Sequence, residues 1–454
     1  MKIVIVGAGE VGFHTASRLA IEDKDVVVID KDADAIRRVS EAIDVQVITG
    51  SGSSPVVLAQ AGIKEADMLL AVTDSDETNL VACLVAHVLS PTTKKLARIR
   101  AGDFDAYHDV FRDESPHIDT IINPEAEVVK KIESLMRVPG AVDVGEFEAG
   151  RIKFVGIILD EDTQLAGIRL SALATHLGKP SPLIAAIIRD GELIIPRGDD
   201  RLLIGDTVYI VSEEDKLADT LAMFSKHADP VRRVLIVGGG RLAYRLAKVL
   251  EEKSIATKLI ERNQDRCVSL AERLSKTVVL HGDGSDQSLL SEENVADMDV
   301  VVSLTNDEET NILVSLLAKQ MGARKTITKI TKFSYFPLMS TIGLDLVVSP
   351  RLSAINSILQ HVRKGKVVST LAIKGEQAEF MEAVALETSD IVGKPIKDIK
   401  FPKGALVTSI IRGEKVIIPS GSSTIEPEDR IIIFTRRQDI DKIEKILAVS
   451  LEYF

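Results

Sequence analysis

The chain repeats itself, and an internal repeat constrains a fold more tightly than any single motif within it. Ile3-Val4-Ile5-Val6-Gly7 is matched by Val234-Leu235-Ile236-Val237-Gly238. At nearly the same separation Asp30 pairs with Glu261 and Gly50 with Gly282. TDSDETN (Thr73 to Asn79) pairs with TNDEETN (Thr305 to Asn311), and Asn123-Pro124 with Ser349-Pro350. A different block follows each copy. IIRDGELIIPRGDDRLLIGD, starting at Ile187, resembles IIRGEKVIIPSGSSTIEPED, starting at Ile410, so that Arg189 meets Arg412, Pro196 meets Pro419 and Asp206 meets Asp429. The order is A–B–A′–B′, a duplicated two-domain unit.

The 454 residues exceed what one core sustains, and three or four domains are expected. Each A unit alternates short apolar runs with amphipathic stretches. In the first, KIVIVG, DVVVID, VQVIT, MLLAVT, LARIR and TIIN read as strands, with GFHTASRLA and TNLVACLVAHVL as helices between them. Such alternation predicts an α/β fold with a doubly wound parallel sheet of the Rossmann type. With aromatics at 4% and no Trp, the cores must rest on Val, Ile, Leu and Ala, which suits buried parallel strands. The B units show short strands with turns at Asp190-Gly191 and Gly413-Glu414, as in a small α/β domain. The expected domains are residues 1–136, 141–226, 231–360 and 367–450. Linkers are expected around Val138-Pro139-Gly140, from His227 to Val231, and from His361 to Lys366.

Charge and composition exclude several classes. A net charge of −12 argues against a nucleic-acid partner, since neutralising phosphates needs a basic surface. Two cysteines, Cys83 and Cys267, lie far apart without metal-ligand spacing and fit a reducing compartment. The opening MKIVIVGAGEVG is broken by glycines and reads as a buried strand rather than a signal segment. No apolar run reaches the roughly 18 residues of a membrane span. A cytoplasmic location follows as the expectation.

Gly7-Ala8-Gly9-Glu10-Val11-Gly12 is G-x-G-x-x-G directly after a strand and opening a helix, with Asp30 ending the second strand. That context makes it a dinucleotide-binding fingerprint. Gly7 permits the tight turn, Gly9 lets a pyrophosphate approach the backbone, and Gly12 lets helix and strand pack closely. Amides at the helix N-terminus would hold the phosphates. Asp30 would accept ribose hydroxyls and repel a 2′-phosphate, favouring NAD(H) or another adenine nucleotide over NADP(H). The second copy reads Gly238-Gly239-Gly240-Arg241-Leu242-Ala243, with Glu261 as its acid. Arg241 stands where Glu10 stands in the first copy; beside phosphates it would strengthen anion binding, whereas Glu10 must point away. The second site either binds a nucleotide or is structural and empty.

Thr73-Asp74 and Thr305-Asn306 are expected to end the fourth strands, where carboxyl ends line the ligand crevice. They contact the nucleotide, cap the following helix, or do both. Arg98, with Lys329 in the matching place, is a candidate phosphate clamp or a solvated charge. Gly50, Ser51, Gly282 and Asp283 are candidates for the adenine pocket. No Tyr-x-x-x-Lys pair, nucleophile elbow or metal cluster is present, and the eight histidines are scattered. The reading is therefore a sensor and not an enzyme; the alternative is an NAD-dependent oxidoreductase.

GAGEVG, VVID, TGSGSSPVVL, ADMLLAVTDSDETN, LARIR and the INP segment together resemble the TrkA family of Trk-system potassium uptake proteins, over essentially the whole chain. The resemblance implies two regulator-of-K⁺-conductance (RCK) N-domains, each followed by an RCK C-domain. It further implies a peripheral subunit on the cytoplasmic face of the inner membrane. Such a subunit assembles as a homo-oligomeric ring on a TrkH/TrkG-type potassium-translocating membrane protein, with bound NAD(H) or ATP/ADP setting the gate. The implied contacts are Gly7, Ala8, Gly9, Glu10, Val11, Asp30, Thr73, Asp74 and Arg98. In the second copy they are Gly238, Gly239, Gly240, Arg241, Leu242, Glu261 and Thr305. Ser51 departs from the Asp common in such domains, which Asp283 retains, so the two halves should differ in ligand contacts.

Overall fold

In the computed structural model the described residues are all but 139, 179–181, 227–229, 340, 363–366, 374–377 and 448–454. The first repeat opens with six parallel strands: β1 (Lys2–Val6), β2 (Asp25–Asp30), β3 (Gln46–Thr49), β4 (Met68–Ala71), β5 (Lys94–Arg98) and β6 (Thr120–Ile122). Their order is β3-β2-β1-β4-β5-β6, so strand order reverses between β1 and β4. The helices between them are α1 (Glu10–Ile21), α2 (Ala33–Ala42), α3 (Pro55–Gln60), α4 (Asp76–Leu89) and α5 (His108–Asp113), and α6 (Pro124–Arg137) follows β6. Ile3, Val4, Ile5, Val27, Val28, Ile29, Leu69 and Leu70 are fully buried, as aliphatic strands covered on both faces must be. β4 stops at Ala71, so Thr73 and Asp74 lie in the loop beyond it rather than within the strand.

An antiparallel sheet comes next, ordered β10-β9-β11-β8-β7. Its strands are β7 (Ala141–Phe147), β8 (Ile152–Ile158), β9 (Leu183–Arg189), β10 (Glu192–Ile194) and β11 (Thr207–Glu213), accompanied by α7 (Leu173–Leu177) and α8 (Leu217–Met223). The hairpin from β9 to β10 turns through Asp190 and Gly191, both at positive φ. In each antiparallel domain an arginine reaches back from the hairpin to a buried acid. Arg189 makes two hydrogen bonds of 2.8 Å to Asp206, and Arg412 two of 2.9 Å to Asp429.

The second repeat has the same plan. β12 (Arg233–Val237), β13 (Ala256–Glu261), β14 (Val278–His281), β15 (Val300–Ser303), β16 (Thr326–Lys329) and β17 (Leu346–Val348) form a sheet ordered β14-β13-β12-β15-β16-β17. Its helices are α9 (Arg241–Glu252), α10 (Gln264–Arg273), α11 (Gln287–Glu292), α12 (Glu308–Gln320) and α13 (Pro350–Val362). The last sheet, β18-β19-β22-β20-β21, comprises β18 (Val367–Ile373), β19 (Ala378–Val384), β20 (Ala405–Arg412), β21 (Lys415–Ile417) and β22 (Arg430–Arg436), with α14 (Ile440–Leu447) after it. Helix α13 runs through His361 and Val362, where a linker was expected; residues 363–366 of that linker lie outside the described residues, as do 139 and 227–229 of the other two.

The chain divides into two compact units that do not follow the repeat. One comprises Met1–Val129 with Ser349–Arg363, and the other Lys130–Val348 with Lys364–Phe454. The first thus holds one parallel sheet together with α13, a helix that belongs in sequence to the second repeat. There α13 packs along α1, and Arg18 Nη1 lies 3.4 Å from Asn356 Oδ1. The second unit holds the other parallel sheet and both antiparallel sheets. Those two share a core in which Phe154 lies 3.8 Å from Phe380 between ring centroids, flanked by Phe147 and Phe434. Among the described residues no helix is long and apolar enough to cross a membrane.

Candidate functional site

The reversal of strand order between β1 and β4 leaves a crevice at their carboxyl ends, and the loop Gly7–Gly9 lines it. Gly7 adopts φ +113°, and a Cβ there would meet the Thr73 backbone nitrogen at 2.9 Å; only glycine turns the chain so tightly against the β4 loop. A Cβ at Gly12 would sit 1.8 Å from the Gly7 carbonyl oxygen. Gly9 is different. Its φ of −64° and ψ of −176° suit any residue, and a Cβ there would meet nothing within 4 Å. The protein's own packing gives no reason for a glycine at this position. Gly240 repeats the observation, with φ −75°, ψ −179° and nothing within 4 Å.

Helices α1 and α9 begin at these glycines and have no side-chain cap. By contrast, α2, α4, α10, α11 and α12 are capped by Asp32, Ser75, Asn263, Asp286 and Asp307. The first-turn amides of α1, those of Glu10 and Val11 among them, therefore face the crevice without a protein acceptor from a cap, carrying the partial positive charge of the helix start. Leu242, matched to Val11, is buried in the first turn of α9.

Asp30 ends β2 as expected, but its carboxylate also fastens the glycine loop. Oδ2 accepts from the Ala8 amide at 2.6 Å and Oδ1 from the Asp32 amide at 2.9 Å. Glu261 does the same for Gly239 at 2.7 Å and Asn263 at 2.7 Å. A Cβ on residue 239 would lie 2.7 Å from Leu270 Cδ1 and 2.8 Å from Glu261 Oε2, so both side chains crowd the position that Ala8 occupies in the first copy. A carboxylate with two oxygens keeps lone pairs for a ribose hydroxyl in either copy.

Thr73 is held by a buried asparagine that the sequence reading did not single out. Asn79 Oδ1 accepts from the Thr73 amide at 2.9 Å and its hydroxyl at 2.7 Å, while Nδ2 donates to the carbonyls of Thr73 and Arg98 at 3.1 and 2.8 Å. Asn311 makes the same four bonds to Thr305 and Lys329. The helix cap falls to Ser75 and Asp307, not to Thr73, Asp74, Thr305 or Asn306. Asp74 is exposed, and its carbonyl receives the Arg100 guanidinium. Gly50 closes the third strand by donating to the Asp30 carbonyl at 2.8 Å, and Gly282 donates to that of Glu261 at 3.0 Å. Ser51 bonds Ser53, whereas Asp283 bonds Ser285.

Arg98 sits where β5 ends. Its Nε is buried and has no hydrogen-bond partner. Burial first, then the neighbouring charge of Arg100, pushes this guanidinium down to about 10. Glu10 is turned to Arg38, whose Nη1 donates to it at 2.7 Å while Nη2 donates to the Ala8 carbonyl at 3.1 Å. Burial raises the Glu10 carboxyl, but Arg38, with Arg351 and His14 beyond, outweighs burial and leaves it below the usual carboxylate range. Arg38 also lies over the Phe13 ring, 4.7 Å from its centroid. In the second copy the arginine over the matching Tyr244 is Arg273, at 4.1 Å.

Open space at Gly9, an uncapped helix start and a guanidinium with an unpartnered Nε fit a polyphosphate. Nothing in the cluster offers a metal-ligand set; among the described residues no group of three His, Cys, Asp or Glu is so placed. The fold and loop geometry define a class: a duplicated nucleotide-fold protein in which each Rossmann-type unit carries an antiparallel companion domain. The TrkA-N domain family matches residues 3–124 and 234–350, and the TrkA-C domain family residues 154–225 and 380–448.

The chain belongs to the TrkA family of Trk-system potassium uptake proteins. It is 39% identical over 458 residues to the Trk system potassium uptake protein TrkA of Halomonas elongata, covering 100% of both chains. It is 38% identical over 459 residues to that of Azorhizobium caulinodans, again covering 100% of both. To the TrkA homolog 1 of Methanosarcina mazei it is 37% identical over 453 residues, covering 98% of this chain and 99% of the other. These relatives are named as potassium uptake proteins, not as the oxidoreductase of the alternative reading. Among solved structures the GsuK RCK domain superposes with a TM-score of 0.61 at 17% identity, covering 98% of this chain and 94% of that one. The GsuK channel bound to NAD gives 0.60 at 17%, covering 98% and 78%. At that identity the likeness concerns the fold.

Proposed function

We propose that the protein is a nucleotide-sensing regulatory subunit of a Trk-type potassium uptake system. It binds NAD(H) or ATP/ADP and gates a TrkH/TrkG-type potassium-translocating membrane protein. The observation that carries the reading is Gly9, a glycine that the fold itself does not require, beside the uncapped start of α1. Phosphates lie on the amides there, Asp30 takes the ribose, and Arg98 satisfies its orphaned Nε on a phosphate oxygen. The GsuK channel, of like fold, is known with NAD bound, which supports the same ligand class here. Gly238, Gly239, Gly240, Arg241, Leu242, Glu261 and Thr305 form the second site of the proposal, with chemistry distinct from the first.

A nucleotide shifts a gate only through its differential affinity for two arrangements of the domains. The charges at Arg98 and the α1 start let ligands of different phosphate charge differ in that respect. Assembly into a homo-oligomeric ring, peripheral on the cytoplasmic face of the inner membrane, belongs to the same reading. It is supported by an apolar stripe on α4, where Val81, Leu84 and Val88 are exposed, and by exposed Leu313 at the matching place on α12. The test is a pull-down from detergent-solubilised membranes with ATP, ADP, NAD or NADH. The reading expects a potassium-translocating membrane protein to be retained to an extent that depends on nucleotide. Retention unchanged by all four, or no such protein at all, rejects it.

A further inference from the structure

The first glycine loop is gripped from one side by a side chain of α2. We propose that Arg38 is a positioning residue: by holding the Ala8 carbonyl it turns the Gly9 amide toward the phosphates of a nucleotide at the first loop, without touching the ligand itself. The inference rests on the nucleotide reading above and adds to it the group that aims the loop's donor.

Three observations carry it. The first is the bonding of the loop. The Gly7 amide donates to the Ile29 carbonyl at 2.8 Å, the Ala8 amide to Asp30 Oδ2 at 2.6 Å, and the Phe13 amide to the Gly9 carbonyl at 2.8 Å. Arg38 Nη2 donates to the Ala8 carbonyl at 3.1 Å. These bonds fix the groups on either side of the Gly9 amide, which itself meets no acceptor among the described residues. The Ala8–Gly9 peptide is trans, so its C=O and N–H point in opposite directions within one plane. A carbonyl drawn to α2 therefore points the next N–H away from α2. Glycine supplies no side chain to restrain that peptide, and the restraint falls to Arg38. The second observation is how Arg38 is itself held. Its Nη1 donates to Glu10 Oε1 at 2.7 Å, and its guanidinium carbon lies 4.7 Å from the Phe13 ring centroid. One planar fork serves the loop carbonyl and a carboxylate at once while an aromatic ring supports its face. Glu10 and Phe13 both belong to α1, so the loop, the helix start and α2 are tied together.

The third lies in the repeat itself. Eight residues after the strand-ending acid, Arg38 of the first copy is matched by Ser269 of the second, and Glu10 is matched by Arg241. Both members of the pair change together. The arginine over Tyr244 is Arg273, one turn further along α10, and among the described residues it makes no hydrogen bond to the second glycine loop. The aromatic support is thus kept in both copies, but the grip on the loop carbonyl is found in the first.

Calorimetric titration with ADP and NADH tests this in a full-length parent carrying Gly240→Ala. A Cβ on residue 240 meets nothing in the protein but takes up phosphate space, so the heat reports the first loop. Arg38→Ala is added to the parent alone and together with Glu10→Ala. Arg38→Ala is expected to weaken both nucleotides by about tenfold, because both set a pyrophosphate on the same amide. In the ligand-free chain it should speed deuterium exchange of the peptide covering Gly7 to Gly12. Melting should fall by less than about 4 °C, since the Arg38–Glu10 pair is partly exposed. The double variant should bind as weakly as Arg38→Ala. Recovery of parental affinity in the double variant would mean that Arg38 only screens the Glu10 charge, and overturns the proposal. A larger melting loss with exchange raised throughout the first parallel sheet marks a general structural role and overturns it as well. Parental affinity in Arg38→Ala overturns it while leaving the nucleotide reading intact. A parent that binds neither nucleotide removes the first-site reading together with the proposal.

Discussion

At the scale of single residues, the site depends on side chains that touch no ligand. Asn79 is fully buried and all four of its hydrogen bonds go to the loop after β4 or the end of β5. Asn79→Ala leaves the Thr73 amide and the Arg98 carbonyl without that partner in a dry interior, a loss of about 2–4 kcal/mol in unfolding free energy measured by urea titration. A loss below about 0.5 kcal/mol would show that the clamp does not hold the two strand ends together. The repeated segments TDSDETN and TNDEETN contain this asparagine in both copies, so the sequence carried the signal; what it did not carry was the partner. Asn79 meets Arg98 across two strands, and such pairings appear only once strand order is known. Glycine roles at Gly7 and Gly12 were legible because they follow from local backbone sterics. The use of Asp30 to fasten Ala8 was not, since a carboxylate that ends a strand looks the same whether it meets a ribose or an amide. The repeats also differ in a buried trio. Ala71, Cys83 and Ala97 of the first copy correspond in sequence to Ser303, Ser315 and Thr328, whose hydroxyls form a chain at 3.0 and 2.7 Å. All three change together, as a buried hydroxyl requires a partner.

Among elements, the helices that close each parallel sheet were foreseen as the ends of their own repeats. Helix α13 instead packs on α1, and the last turns of α6 belong to the unit of the second sheet. Amphipathic spacing predicts that a helix buries one face but says nothing about which sheet receives it. Lys325, just before β16, secures α6 there. Its Nζ donates to the Ala141 carbonyl at 2.8 Å and reaches the Leu135 carbonyl near the α6 terminus, where a cation also favours the helix dipole. Burial pushes this ammonium down to about 8 from the ordinary 10.5, against the pull of Asp345. The unfolded chain therefore holds more protons than the folded one between about pH 8 and 10.5, and stability contributed by this group rises with pH across that window. Relative to Lys325→Met, the wild-type protein should gain on the order of 1–3 kcal/mol from pH 8 to 10.5 in urea titrations. Parallel curves for the two proteins would mean that the lysine is not desolvated.

Taken whole, the molecule keeps the duplication in its folds but not in its packing units. The α/β class and the tandem order were legible because strand–helix alternation and a repeat both act along the chain. The shared core of the two antiparallel sheets was not. Aromatics are 4% of the residues, yet Phe147, Phe154, Phe380 and Phe434 converge in that one core. The rest of the chain does rely on Val, Ile, Leu and Ala, as composition required. Membership of the TrkA family gives the two parallel sheets a regulatory context, and the crevice beside Gly9 is where this account places the signal. The most direct test is calorimetric titration of the full chain and its Gly9→Ala variant with ATP and NADH, alongside ligand-free melting. Ligand-free stability is expected within about 1 kcal/mol of wild type, because the added methyl meets nothing, and nucleotide affinity lower by about tenfold or more, because the phosphates need that space. Equal affinity in the two proteins, or no nucleotide bound by either, would contradict that expectation.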